Sequence, residues 1–134
     1  MTSERPINPR YAEDTWFEEA PGGPPRYRDW TDKPVRYFVV VDKKDGAVLG
    51  YVWAGDEDDA AAWEPRQAAG PRALMESLGW FDRLGEAKGR GIRPSQALAE
   101  LMTDSSAGKF GQALPGSLAE APNAGVVEEL AKRD

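Results

Sequence analysis

Residues 35–54 constrain the fold more tightly than any other part of the chain. Val35-Arg36-Tyr37-Phe38-Val39-Val40-Val41 is β-branched and aromatic, the residue types that suit a pleated surface. Lys43-Lys44-Asp45-Gly46 follows as a turn, with Gly46 free to take a positive φ. Ala47-Val48-Leu49-Gly50-Tyr51-Val52-Trp53-Ala54 is a second strand, and the pair reads as a β-hairpin. A three-residue loop built on a type I turn and a bulge sets Lys43 opposite Ala47. Tyr37, Val39 and Val41 then share a face with Leu49, Tyr51 and Trp53, and Phe38 and Val40 share the other with Val48, Gly50 and Val52. A four-residue loop shifts the register by one and mixes these sets. Neither face alternates to polar residues, so both need cover, and a lone hairpin is marginal in water.

The remaining elements are read as that cover. Residues 71–88 form a helix opened by Pro71, with Leu74, Leu78, Phe81 and Leu84 at helical spacing and Met75 and Trp80 beside them. Residues 94–103 form a second helix, with Leu98, Leu101 and Met102 as its apolar stripe. Asp56–Asp59 before Ala60-Ala61-Ala62-Trp63 is a helix-start pattern, because acids complement the N-terminal dipole, and Pro65 limits it to one or two turns or a structured loop. Arg26–Trp30 and Ala61–Glu64 are weaker strand candidates. Residues 104–125 read as loop, and Val126–Lys132 as a short final helix. The order strand, strand, helix, helix indicates an α+β fold. Its small antiparallel sheet centres on the 35–54 hairpin, packed against helices at about 71–88 and 94–103. Residues 1–34 read as an extended arm rich in Pro and aromatics, pinned to a single 35–134 domain by some of Tyr11, Trp16, Phe17, Tyr27 and Trp30.

Composition narrows the chemistry. The 134 residues contain no Cys and no His, with 17 basic and 23 acidic residues and a net charge of -6. Disulfides, thiolate nucleophiles, cysteine-ligated metal and every His-based triad are thereby excluded. The negative balance argues against nucleic acid and anionic lipid as partners. No segment approaches the ~20 apolar residues of a membrane span, and the N-terminus lacks a signal-peptide pattern, so a cytoplasmic location is expected. The Ala, Gly, Pro and Arg content has the look of a GC-rich bacterial genome.

Short motifs add little. The acidic run fails as an EF-hand loop, because Ala60 and Ala61 stand where Asp or Asn and Gly are required. Ser106-Ala107-Gly108-Lys109 matches Ser-x-x-Lys without its companion motifs. Arg83, Lys88, Arg90 and Arg93 surround three glycines, yet no strand leads into them as in a nucleotide-binding loop.

The reading that remains is a small acidic, non-catalytic interaction or accessory protein without cofactor or metal. It binds another protein, or itself, through aromatic residues rimmed by acids. Trp16 and Trp63 are the aromatic candidates, with Asp56, Asp58, Asp59 and Tyr51 beside them. The alternative is a small-ligand-binding protein or carboxylate-based enzyme. Its site would lie between the hairpin and the long helix, with Tyr37, Tyr51 and Asp56–Asp59 supplying polar groups.

Overall fold

The computed structural model describes residues 24–104 and 106–133. Among them the hairpin is formed by β1 (Val35–Asp42) and β2 (Val48–Gly55), joined by the turn whose Gly46 has φ 75°. Asp42 N–H donates to the Ala47 carbonyl and Gly46 N–H to the Asp42 carbonyl, so four residues make the loop. Val41 lies opposite Val48, and a bulge between Val40 and Val41 then restores the pairing of Val40 with Gly50, Val39 with Tyr51 and Tyr37 with Trp53. The expected face partition holds from Tyr37 to Val40 and fails at Leu49. The bulge turns Leu49 to the side of Phe38, Val40 and Val52, away from Tyr51 and Trp53.

Residues 60–65, read mainly as helix or loop with Ala61–Glu64 a weaker strand candidate, are a strand. β3 (Ala60–Pro65) pairs antiparallel with β2, setting Trp63 opposite Val52 and Ala62 opposite Trp53. Sheet pairing here overrides the helix preference of the alanines. The acids form the connecting turn, with Asp59 at φ 53°, a conformation that Asp tolerates better than most residues. Pro65 closes β3 at the sheet edge, where a missing N–H costs no ladder bond. Trp63 reaches back over Gly50, where a Cβ would lie 2.4 Å from both the indole and the Glu64 carbonyl.

α1 (Pro71–Gly89) and α2 (Pro94–Met102) match the expected helices within a residue or two. The 104–125 stretch expected as loop contains two short strands, β4 (Gly111–Ala113) and β5 (Ala119–Ala121). Both lie along the outer edge of β1: β4 pairs with Val40–Asp42 and β5 with Val35–Tyr37. Between them, Val39 N–H donates to Ser117 Oγ at 2.9 Å, and the Val39 carbonyl accepts Leu114 N–H at 2.8 Å. The sheet order is β3-β2-β1-β4, with β5 also on β1. α3 (Ala124–Lys132) begins at Asn123, whose Oδ1 accepts Val126 N–H at 3.1 Å.

The fold is α+β, with both faces of the sheet covered. On one face α1 and α2 enclose Phe38, Val40, Leu49, Val52 and Trp63. Trp80 of α1 stacks on Trp63 with ring centroids 6.0 Å apart, and meets Phe38 edge-on at 5.8 Å. On the other face α3 packs Ala124 and Val127 against Val35, Trp53, Ala60 and Ala62, with Tyr37 and Tyr51 half-buried at the margin. Residues 24–34 run along the body. Tyr27 is buried and donates its hydroxyl to the Ile92 carbonyl at 2.8 Å, and Arg28 bridges to Ala60 at the β3 edge. No helix among the described residues is long and apolar enough to cross a membrane.

α1 presents the largest departure from expectation. Of the stripe expected to face the core, Leu74, Leu78 and Phe81 face outward with the flanking Met75, while Leu84 and the flanking Trp80 are buried. The buried row is Ala73, Glu76, Trp80, Leu84 and Ala87, while Leu74 is 64 %, Met75 50 %, Leu78 81 % and Phe81 43 % exposed. Both rows have helical spacing. The inner row prevails because its small residues let the helix sit close, and the Trp80 ring then fills the space against Trp63. Gly79 marks that closeness: a Cβ there would lie 2.6 Å from the Ala107 carbonyl.

Candidate functional site

Four apolar side chains on one outward helix face are a contiguous feature, unlike the scattered exposed apolar residues of any soluble surface. Leu74, Leu78 and Phe81 lie at i, i+4 and i+7, and Gly85 extends the row toward the helix C-terminus. Met75 heads an adjacent row that continues through Asp82 and Glu86.

Charge around this stripe is sorted. Each cation of α1 is tied to a carboxylate from another element. Arg72 bonds Asp42 at 2.5 Å, Arg83 bonds Asp104 at 2.9 Å, and Lys88 pairs with Asp59. Asp82 is left as the α1 acid beside the stripe, while Glu86 lies further round the helix, along a groove with Arg83, Arg90, Glu100 and Asp104. Backbone N–H donation from Lys44, joined by Arg72, holds the Asp42 carboxyl below its ordinary range. Ser106, through its hydroxyl and N–H, does the same for Asp104, with Arg83 contributing.

The inner face of α1 carries a fully buried carboxylate. Glu76 accepts Trp80 Nε1–H at 3.0 Å, Gly111 N–H at 3.3 Å and Phe110 N–H. Three N–H donors satisfy it, as a buried charge requires. Glu76 thereby fastens the 107–111 segment to α1, and Gly108 lies so close that a Cβ would sit 2.4 Å from Glu76 Oε1.

The residues nominated from sequence lie elsewhere. Trp63 is buried, and its Nε1–H donates to the Ala73 carbonyl at 3.3 Å. Asp56 accepts Ser95 N–H at 2.8 Å and the Ser95 hydroxyl at 2.6 Å, capping α2 across the fold. Asp58 accepts the hydroxyl of buried Thr31 at 2.6 Å. Asp59 holds Lys88, and its carbonyl accepts Arg28 N–H. The acids therefore stitch the β2–β3 turn to α2, to α1 and to residues 28–31. Tyr51 meets Tyr37 edge-on at 6.1 Å on the α3 face. Glu64, opposite Tyr51, accepts Trp53 Nε1–H, and burial raises its carboxyl above the ordinary range. Trp16 lies outside the described residues.

Tyr37 and Tyr51 are thus on the far side of the sheet from α1, and the space between hairpin and α1 is filled by Phe38, Trp63 and Trp80. An open groove of about 520 Å³ is lined by Pro34, Arg36, Ala54, Glu120 and Pro122, none of them nominated from sequence. Among the described residues no cluster of three or more acidic groups is placed to hold a metal ion.

Sequence reasoning named Leu74, Met75, Leu78 and Phe81 and assigned them to the core. The signal for the opposite assignment was the second row at helical spacing through Trp80, which Glu76 and two alanines made look less apolar. No protein-family model, curated protein or solved structure matches the chain.

Proposed function

We propose that this chain is a small, non-catalytic docking protein, and that the outer stripe of α1 receives an amphipathic helix of a partner protein. The observation that carries this reading is the exposed row Leu74, Leu78 and Phe81 with Asp82 beside it. An apolar stripe of helical pitch fits another helix laid along it. Asp82, on a helix whose Arg72, Arg83 and Lys88 are paired with acids of other segments, favours a helix with basic residues along its own border. The arrangement keeps the form expected from sequence, an aromatic surface with acid beside it, and moves it from Trp63 to Phe81.

A synthetic Leu/Lys amphipathic peptide of about 18 residues is long enough to form a helix on the surface and serves as the probe. Fluorescence anisotropy should show saturable binding that weakens roughly tenfold or more in Leu78→Glu, as loss of a central apolar anchor does. The charge reversal Asp82→Lys should weaken it as well. Absence of saturable binding, or binding indifferent to Leu78→Glu, overturns the reading.

A further inference from the structure

At the end of the sheet where the hairpin turns, cations from three distant stretches of sequence meet around one ring. Arg72, in the first turn of α1, sets its Cζ 5.5 Å from the centre of the Phe110 ring, and Lys109 sets its Nζ 5.4 Å from the same centre. The Phe110 carbonyl accepts Lys43 N–H at 3.0 Å. Lys44 N–H donates to Asp42 Oδ1 at 2.7 Å, and the other oxygen of that carboxylate takes Arg72 at 2.5 Å. Lys43, Lys44 and Lys109 are exposed, and none of them meets a carboxylate among the described residues. Two acids lie among these cations and both are engaged. Asp42 is buried with Arg72, and Asp45 accepts Ala47 N–H at 2.9 Å.

The centre of this platform is fixed from below. Glu76 accepts the N–H groups of Phe110 and Gly111, and Gly108 has no room for a Cβ against Glu76 Oε1. Contact with the Phe110 ring holds Arg72 and Lys109 in place, so less side-chain freedom is lost when they take a further partner. Gathering like charges works against the compact state, and an anion from outside relieves that repulsion. We infer that the basic platform around Phe110 binds a short acidic segment of a protein partner, with carboxylates seated between Arg72, Lys109 and the Lys43-Lys44 turn. It is a second surface, opposite in chemistry to the apolar stripe and independent of the helix-docking reading. Its extent sets the class of partner. A compact group of cations matches a few carboxylates close together in an extended stretch. A long nucleic acid or an anionic bilayer reaches beyond it and meets a chain whose net charge is -6. The donors suit carboxylates as well: Arg72 carries further N–H groups beside the one that holds Asp42, and each lysine carries three.

A labelled peptide of alternating Glu and Gly, titrated into the full chain and followed by fluorescence anisotropy, tests the inference. Binding should saturate at about 10 mM ionic strength, where the Debye length is about 30 Å, and weaken strongly at about 150 mM, where it is about 8 Å. Amide shifts should move at Lys43, Lys44, Lys109 and Phe110. Lys43→Glu with Lys109→Glu should weaken binding roughly tenfold or more, and Lys43→Gln with Lys109→Gln by an intermediate amount. Lys132→Glu, on α3 at the opposite face of the sheet, should weaken it far less. Absence of saturable binding, a loss no greater in the platform variants than in Lys132→Glu, or shifts confined to other segments overturns the inference. So does tighter binding, through the same lysines, of a single-stranded oligonucleotide of equal charge or of vesicles containing anionic lipid, which assigns the platform to phosphate. A Glu/Gly peptide that binds here while the Leu/Lys peptide fails at α1 leaves this surface standing and overturns the docking reading alone.

Discussion

The indole of Trp80 donates to the carboxylate of Glu76 one helical turn earlier, at 3.0 Å, and both side chains are fully buried. The same carboxylate accepts the N–H groups of Phe110 and Gly111. One acidic side chain thus orients the largest ring of the α1 face and anchors the approach to β4. Replacing it with Ala strands three buried donors, each worth about 1–3 kcal/mol when unsatisfied. Glu76→Ala should lower stability by about 3 kcal/mol or more, read as a fall in urea midpoint.

Leu78 and Trp63 should exchange the roles that composition suggests for them. Leu78→Glu changes a side chain that is 81 % exposed, so its effect on unfolding should stay within about 0.5 kcal/mol. Trp63→Ala empties the stack on Trp80 and should cost about 3–5 kcal/mol. Thermal melts of the two variants beside the parent chain check both.

Asp56 acts as a cap supplied from outside the helix it caps. Asp56→Ala removes the acceptor for Ser95 N–H and Ser95 Oγ and should cost about 1 kcal/mol. Amide exchange should quicken at the first turn of α2 while the β2–β3 ladder keeps its protection.

Burial, with Asp59 nearby, pushes the Tyr27 phenol up to about 12. The folded chain therefore holds this proton at pH values where an unfolded tyrosine, titrating near 10, releases it. The stabilisation is complete below the unfolded value and drains away as pH rises through 10 toward 12. Tyr27→Phe forfeits the bond to the Ile92 carbonyl and should be less stable by about 1 kcal/mol at pH 7. The gap to the parent chain should narrow between pH 10 and 12, as followed by denaturant titrations across that range.

The hairpin and the two longer helices were legible because length and β-branched or apolar runs announce them locally. What the sequence marks weakly or not at all depends on neighbours. The alanines of β3 carry no strand preference and become a strand because β2 offers a ladder on which Trp63 fits over Gly50. Three residues each at β4 and β5, mostly Gly and Ala, carry too little side chain for any periodicity. The orientation of α1 was the costliest to misjudge, since it moved the candidate surface from core to exterior. Summed hydrophobicity favours the row with Leu74, Leu78 and Phe81, whereas packing favours the row whose small residues allow the Trp80 ring to seat. The acids of the 56–59 turn were noticed for charge, and their bonds to Ser95, Thr31 and Lys88 link positions too far apart in sequence for any spacing rule.

The outer edge of β1 is completed by residues drawn from some 70 to 85 positions downstream. A growing polypeptide displays this strand long before its flank is synthesised, and in the interval the bare N–H and C=O groups invite pairing with whatever strand is near. Completion from the C-terminal side converts an aggregation hazard into a latch, so shortening the chain by its last two elements would endanger recovery of the protein well before it altered anything at α1.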